Sequence, residues 1–112
     1  MGFLMTPTRR QFLALAGAVK LPAAQPTTRW ALLADTHIPA NPAESYRGFR
    51  PHENLRRVIA QIQESQLDGV LIAGDLARLE GLPGDYQNLV QLLQPLTQQL
   101  PVALALGNHD DR

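Results

Sequence analysis

Three short apolar runs, each broken off by an acid, an imidazole or an amide, set the terms on which this chain can fold. The first, Trp30-Ala31-Leu32-Leu33-Ala34, runs into Asp35-Thr36-His37. The second, Val70-Leu71-Ile72-Ala73, runs into Gly74-Asp75, and the third, Val102 to Leu106, runs into Gly107-Asn108-His109-Asp110. Runs of this length read as short buried strands, the third bounded by Pro101 and Gly107. If they are parallel neighbours, their C-terminal ends share one edge of the sheet, which is where open α/β sheets bind ligands. Asp35, His37, Asp75, Asn108, His109 and Asp110 then form one cluster, and carboxylate, imidazole and amide oxygen together suit a metal ion.

The connecting segments support that arrangement. Pro51 suits a first helical position and Glu53 its first turn, while Leu55, Val58, Ile59 and Ile62 recur at the spacing of one helix face. Asp85 is placed as the cap of a second helix, in which Tyr86, Leu89, Val90 and Leu93 repeat that spacing. Pro95 is expected to kink or end this helix, and Pro101 to open the third strand. Ile38 to Arg50 and Leu76 to Gly84 read as loops over the presumed site, because they hold Pro39, Pro42, Gly48, Gly81 and Pro83 without a sustained period. The order is β-α-β-α-β, an α/β chain. Strands that are apolar throughout are normally covered on both faces, and two helices are few for that purpose. The chain reads as part of a larger fold.

The absence of cysteine rules out a disulfide framework and thiolate metal sites. A formal net charge of zero gives no general case for nucleic acid or an anionic membrane as partner. The beginning of the chain is different in kind. Thr8-Arg9-Arg10-Gln11-Phe12-Leu13 is a basic start, Phe12 to Val19 is a short apolar segment, and Leu21 to Pro26 offers small residues for cleavage. This resembles a bacterial twin-arginine export signal over residues 1–24, followed by a linker at 25–28. The resemblance implies the export machinery as a partner and a periplasmic or extracellular location. The apolar segment falls short of the roughly 20 residues needed to span a bilayer, so no stable membrane anchor is expected. Residues 25–112 carry seven basic and ten acidic side chains, a net charge of −3.

The three strand-end motifs together resemble those of the calcineurin-like metallophosphoesterases, over residues 29–112. Asp35-Thr36-His37 matches the family's Asp-x-His, Gly74-Asp75 its Gly-Asp, and Gly107-Asn108-His109-Asp110 its Gly-Asn-His-Asp/Glu. The order is the family's, and the intervals of 40 and 33 residues between Asp35, Asp75 and Asn108 leave room for one crossover helix each. The family fold is a sandwich of two sheets flanked by helices, of which this chain would supply a β-α-β-α-β half. The resemblance implies hydrolysis of a small phosphate ester, mono- or diester, by a centre of two metal ions such as Fe, Mn or Zn. Asp35 and His37 would ligate the first metal, Asp75 would bridge, and Asn108 would touch the second. His109 would act as general acid near the leaving oxygen, with Asp110 orienting its ring.

Two departures qualify the match. Three positions after the Gly-Asp aspartate the family often has an acid or an asparagine, where this chain has Arg78. The family's later histidines, which complete both metal positions, have no counterpart before Arg112, and His52 is the one histidine left over. The expectation is therefore an N-terminal half-site, with little hydrolysis by these 112 residues alone. The alternative is an inactive remnant or small binding module with the same half-fold. A nucleotide-binding α/β domain is a poorer match, since no G-x-G-x-x-G follows a strand. Arg47, Arg50 and Arg78 lie in the loops facing the presumed site and could contact a phosphate, although solvated loop arginines are the commoner case. Glu44, Glu80 and Asp85 carry no expected role beyond solubility and capping.

Overall fold

The computed structural model describes residues 25–111; the export signal expected at 1–24 lies outside them. Three strands, β1 (Trp30–Ala34), β2 (Gly69–Ala73) and β3 (Val102–Ala105), alternate with two helices, α1 (Pro51–Glu64) and α2 (Pro83–Thr97). The sheet is wholly parallel in the order β1-β2-β3, with Leu32 opposite Leu71 and Ile72 opposite Leu104. Each crossover carries one helix, as parallel pairing requires. The three strand ends consequently lie side by side.

Both helices pack on one face of this sheet. Val70 and Ile72 of the central strand are fully buried against Leu55, Ile59 and Ile62 of α1 and Leu89, Leu93 and Leu96 of α2. Each such side chain contributes about 1.5–3 kcal/mol by leaving water, so this layer holds the fold together. The other face is open among the described residues. Leu32 is 73% exposed and Trp30 43%, and Ala73, Ala103 and Ala105 are exposed beside them. Coverage on both faces, expected from the unbroken apolar runs, is thus met on one face only by the described residues. The Trp30 ring lies across Gly69, where a Cβ would come within 2.6–2.8 Å of it.

The helix ends differ from the expectation in two places. Asp85 lies in the third position of α2 rather than capping it from outside, and its carboxylate accepts the Leu82 N–H at 3.2 Å. Pro95 does not end the helix, which continues to Thr97. Proline removes its own N–H from the ladder and crowds the carbonyl four residues back, but Leu96, fully buried, anchors the last turn in the core. At the end of α1, Gln66 takes the left-handed conformation (φ 49°) that commonly closes a helix. No helix among the described residues is long and apolar enough to cross a membrane.

Candidate metal centre

The parallel ladder does not stop where the strands do. Asp35 N–H donates to the Ala73 carbonyl at 3.1 Å, His37 N–H to Asp75 at 3.0 Å, and Ile38 N–H to Leu76 at 2.8 Å. These bonds zip the two loops together beyond the sheet edge. Within them Asp35, His37 and Asp75 all have positive φ, at 52°, 46° and 22°. Left-handed backbone costs an L-residue of order 1–3 kcal/mol when it is held against its preference, and such strain gathers at functional sites. Here the surrounding hydrogen bonds impose it. The effect is to turn successive side chains back over the strand ends.

The result is a convergence of three donors. Ligating atoms of His37, Asp75 and His109 all lie within 4.8 Å of one another. Asp75 Oδ2 stands between the two imidazoles, 3.8 Å from His37 Nε2 and 3.9 Å from His109 Nε2. The rings meet edge to face, with centroids 5.2 Å apart. His37 Nδ1 lies 3.2 Å from the Arg78 carbonyl, an acceptor that fixes the proton on Nδ1 and leaves the Nε2 lone pair for a ligand. His109 Nδ1 is buried without a hydrogen-bond partner among the described residues. Two imidazoles and a carboxylate, half-buried and facing one another, fit a divalent cation of the Zn, Mn or Fe type.

The other expected residues are placed differently. Asp35 lines the same cleft as His37, and its carboxylate reaches over Gly74, but it is outside the converging trio. Asn108 is exposed in the turn before His109 and is also outside it. His109, expected as the proton donor, is inside it. Asp110 corrects the expectation of an acid that orients His109. Its carboxylate accepts backbone N–H groups from Leu76 (3.0 Å), Ala77 (2.8 Å) and Gly107 (2.8 Å), and the Tyr86 hydroxyl at 3.3 Å. Burial opposes its charge, yet the hydrogen bonds from Gly107, Leu76, Ala77 and Tyr86 prevail and hold its pKa below the ordinary value. Asp110 is a clamp between two loops, and it leaves the His109 ring untouched.

Asp75 Oδ1 accepts the His109 N–H at 3.0 Å, which joins the same two loops from the other side. Gly107 makes this contact possible: a Cβ there would run into the Asp75 backbone nitrogen and carboxylate. Gly107→Ala should therefore displace Asp75, costing about 1–3 kcal/mol of stability by overpacking. It should also weaken metal binding, as thermal unfolding and a Mn2+ titration would register. Unchanged values for both would contradict the crowding seen here.

A further set of polar residues, unannounced by any motif, holds the first loop. Asp85, nearly buried, accepts the Ala40 N–H at 2.8 Å. Asn88 Nδ2 donates to the Pro39 carbonyl at 2.7 Å and meets His52 Nδ1 at 3.1 Å. His52 is thereby occupied in packing α1 against α2, and Asp85 has a structural duty beyond capping. The only sequence hint was a polar residue among the apolar positions of a helix.

A parallel α/β sheet that gathers His, Asp and His at the C-terminal ends of its strands has the donor set to hold a metal ion. The calcineurin-like phosphoesterase profile matches residues 28–112, and the chain belongs to that family. It is 34% identical over 80 residues to a protein from Vesicomyosocius okutanii subsp. Calyptogena okutanii (strain HA) called "probable cyclic nucleotide phosphodiesterase". A protein of the same description from Ruthia magnifica subsp. Calyptogena magnifica is 35% identical over 78 residues. These alignments cover 71% and 70% of this chain but 32% and 31% of the relatives, so the chain spans about a third of their length.

Proposed function

We propose that this chain carries the N-terminal part of the active site of an exported, metal-dependent phosphoester hydrolase. The observation that supports it best is the convergence of His37, Asp75 and His109 within 4.8 Å at the ends of three parallel strands. Two ions of Fe, Mn or Zn bound there would supply an activated water and neutralise charge during in-line displacement at phosphorus. In this reading Asp35, His37, Asp75 and Asn108 would hold the metal ions. His109 delivers a proton to the leaving oxygen, and Asp110 keeps the loops of Asp75 and His109 in register. The family's later histidines belong to the complete site, so turnover is assigned to a protein that also supplies them.

The names of the two relatives support a phosphodiester, and a cyclic nucleotide in particular, as the first substrate to try. The test begins with Mn2+ or Zn2+ titrated into the 112-residue chain. It continues with hydrolysis of cyclic AMP and bis(p-nitrophenyl) phosphate by the native gene product, with and without chelator. Metal binding by the chain and chelator-sensitive hydrolysis by the native product are expected. Metal binding with no turnover in the native product would favour the inactive remnant, and no metal binding would defeat the assignment. Export is proposed on the sequence of residues 1–24 alone. A reporter fused behind them should leave the cytoplasm, and Arg9→Lys with Arg10→Lys should keep it inside.

A further inference from the structure

Arg78 stands where the family often has an acid or an amide, and the structure gives it a definite posture. Its backbone carbonyl is the acceptor beside His37 Nδ1, at 3.2 Å, so the residue is tied directly to the candidate metal centre. Its side chain is only 20% exposed. Nε donates to Glu44 Oε1 at 3.1 Å, and the guanidinium carbon lies 5.0 Å from the centroid of the Tyr46 ring.

Tyr46 is itself held. It pairs with Phe49 by two backbone hydrogen bonds of 2.8 and 2.9 Å across Arg47 and Gly48, both at positive φ, the form of a tight hairpin turn. Arg47 lies on the same ring at 5.1 Å. A free arginine carries about 2 kcal/mol of side-chain entropy that binding must remove; here a carboxylate and an aromatic face have already removed much of it. Glu44 takes only Nε, and the two terminal nitrogens of the guanidinium make no hydrogen bond among the described residues. Arg78 also lines a cleft of about 240 Å³ together with Asp35 and His37. A pre-oriented planar fork with its outer N–H groups open is the geometry that binds two phosphoryl oxygens at once.

We propose that Arg78 is the residue of this chain that grips the non-bridging oxygens of the substrate phosphoryl group, with Glu44 and Tyr46 as its positioning residues. This rests on the phosphoesterase reading and names the contact that orients the substrate within it. The charge logic is consistent: Asp35 and Asp75 repel an approaching phosphate, and Arg78 offsets them at the cleft wall.

The experiment measures inorganic phosphate binding to the full 112-residue chain by calorimetry, with and without Mn2+, beside a Mn2+ titration of each variant. Arg78→Gln should weaken phosphate binding about 10-fold or more, as expected for a hydrogen-bonded charge pair, while Mn2+ affinity stays within about twofold of the parent. Arg78→Lys, which keeps the charge but loses the fork, should recover only part of the loss. Glu44→Gln should weaken phosphate binding a few-fold by loosening Arg78. Unchanged phosphate affinity in Arg78→Gln, with Mn2+ still bound, overturns the proposal and leaves the metal site standing. If the parent chain binds no Mn2+, the metal reading fails separately, and the phosphate titration without metal decides alone: binding that Arg78→Gln removes supports the proposal, and its absence overturns it.

Discussion

Replacing Asp110 by asparagine should destabilise the fold by about 2–4 kcal/mol, measured by urea unfolding of the parent and variant chains. Each carboxylate oxygen of Asp110 accepts two donors: Oδ2 takes the Leu76 and Gly107 N–H groups, and Oδ1 takes Ala77 N–H and the Tyr86 hydroxyl. An asparagine has one oxygen and one NH2 group. Whichever way the amide turns, at least one backbone N–H at a position 6% exposed loses its acceptor and faces another donor. Leaving a buried donor unpaired costs about 1–3 kcal/mol, and the added repulsion and lost charge assistance raise the sum. The effect should shrink in acid. Because the folded-state pKa is depressed, the carboxylate's contribution is complete above its ordinary value of about 4 and is lost as pH falls through the folded value. A loss below about 1 kcal/mol at neutral pH would mean that the clamp is not what holds the loops. Tyr86→Phe should cost less, about 1 kcal/mol, since its bond to Asp110 is long and what it further loses is the 2.8 Å bond from Asp111 N–H.

That role for Asp110 marks the boundary of what was legible beforehand. The strands were legible because each is a short unbroken apolar run that breaks off at a polar end, and α1 because Leu55, Ile59 and Ile62 fall on one stripe and are all buried. The meeting of His37, Asp75 and His109 was legible because parallel strands must end on the same edge, but Asp35, Asn108 and Asp110, expected in the same cluster, stand outside that trio. Sequence spacing, however, says nothing about where lone pairs go. Asp110 next to His109 suggests a carboxylate–imidazole pair, and only the folded chain shows backbone N–H groups from 33 and 34 residues away claiming that carboxylate first. The same holds for Asp85 and Asn88: a polar residue on a buried helix face looks like an exception until its partner, the Pro39–Ala40 backbone, is in place. Arg78 read as a solvated loop charge because neither Glu44 nor Tyr46 is near it in the chain. The open sheet face was out of reach for another reason. Continuous apolar strands report that both faces prefer cover, but they do not report which segment provides it.

Asp75→Asn should lower metal affinity by at least about 100-fold and abolish metal-dependent hydrolysis in the native gene product. The two oxygens of Asp75 face different duties. Oδ1 accepts the His109 N–H at 3.0 Å and is structural, while Oδ2 faces the Nε2 atoms of His37 and His109 at 3.8 and 3.9 Å. If the asparagine oxygen keeps the His109 bond, the NH2 group is turned toward the imidazoles and presents hydrogens where a cation needs an electron pair. If it turns the other way, the His109 loop loses its anchor, and the oxygen offered to the metal is neutral. Each orientation removes the one negative charge that faces the two imidazoles, so either one loses more than the 10- to 100-fold typical of disturbing an outer hydrogen bond at a metal site. Stability in the absence of metal should change by less than about 2 kcal/mol, because the structural bond survives in the first orientation. That contrast separates the two aspartates: Asp110→Asn should unfold the site at lower urea, whereas Asp75→Asn should leave a folded chain that no longer binds Mn2+. Near-parental Mn2+ affinity in Asp75→Asn, with hydrolysis retained, would remove Asp75 from the centre and the phosphoesterase assignment with it.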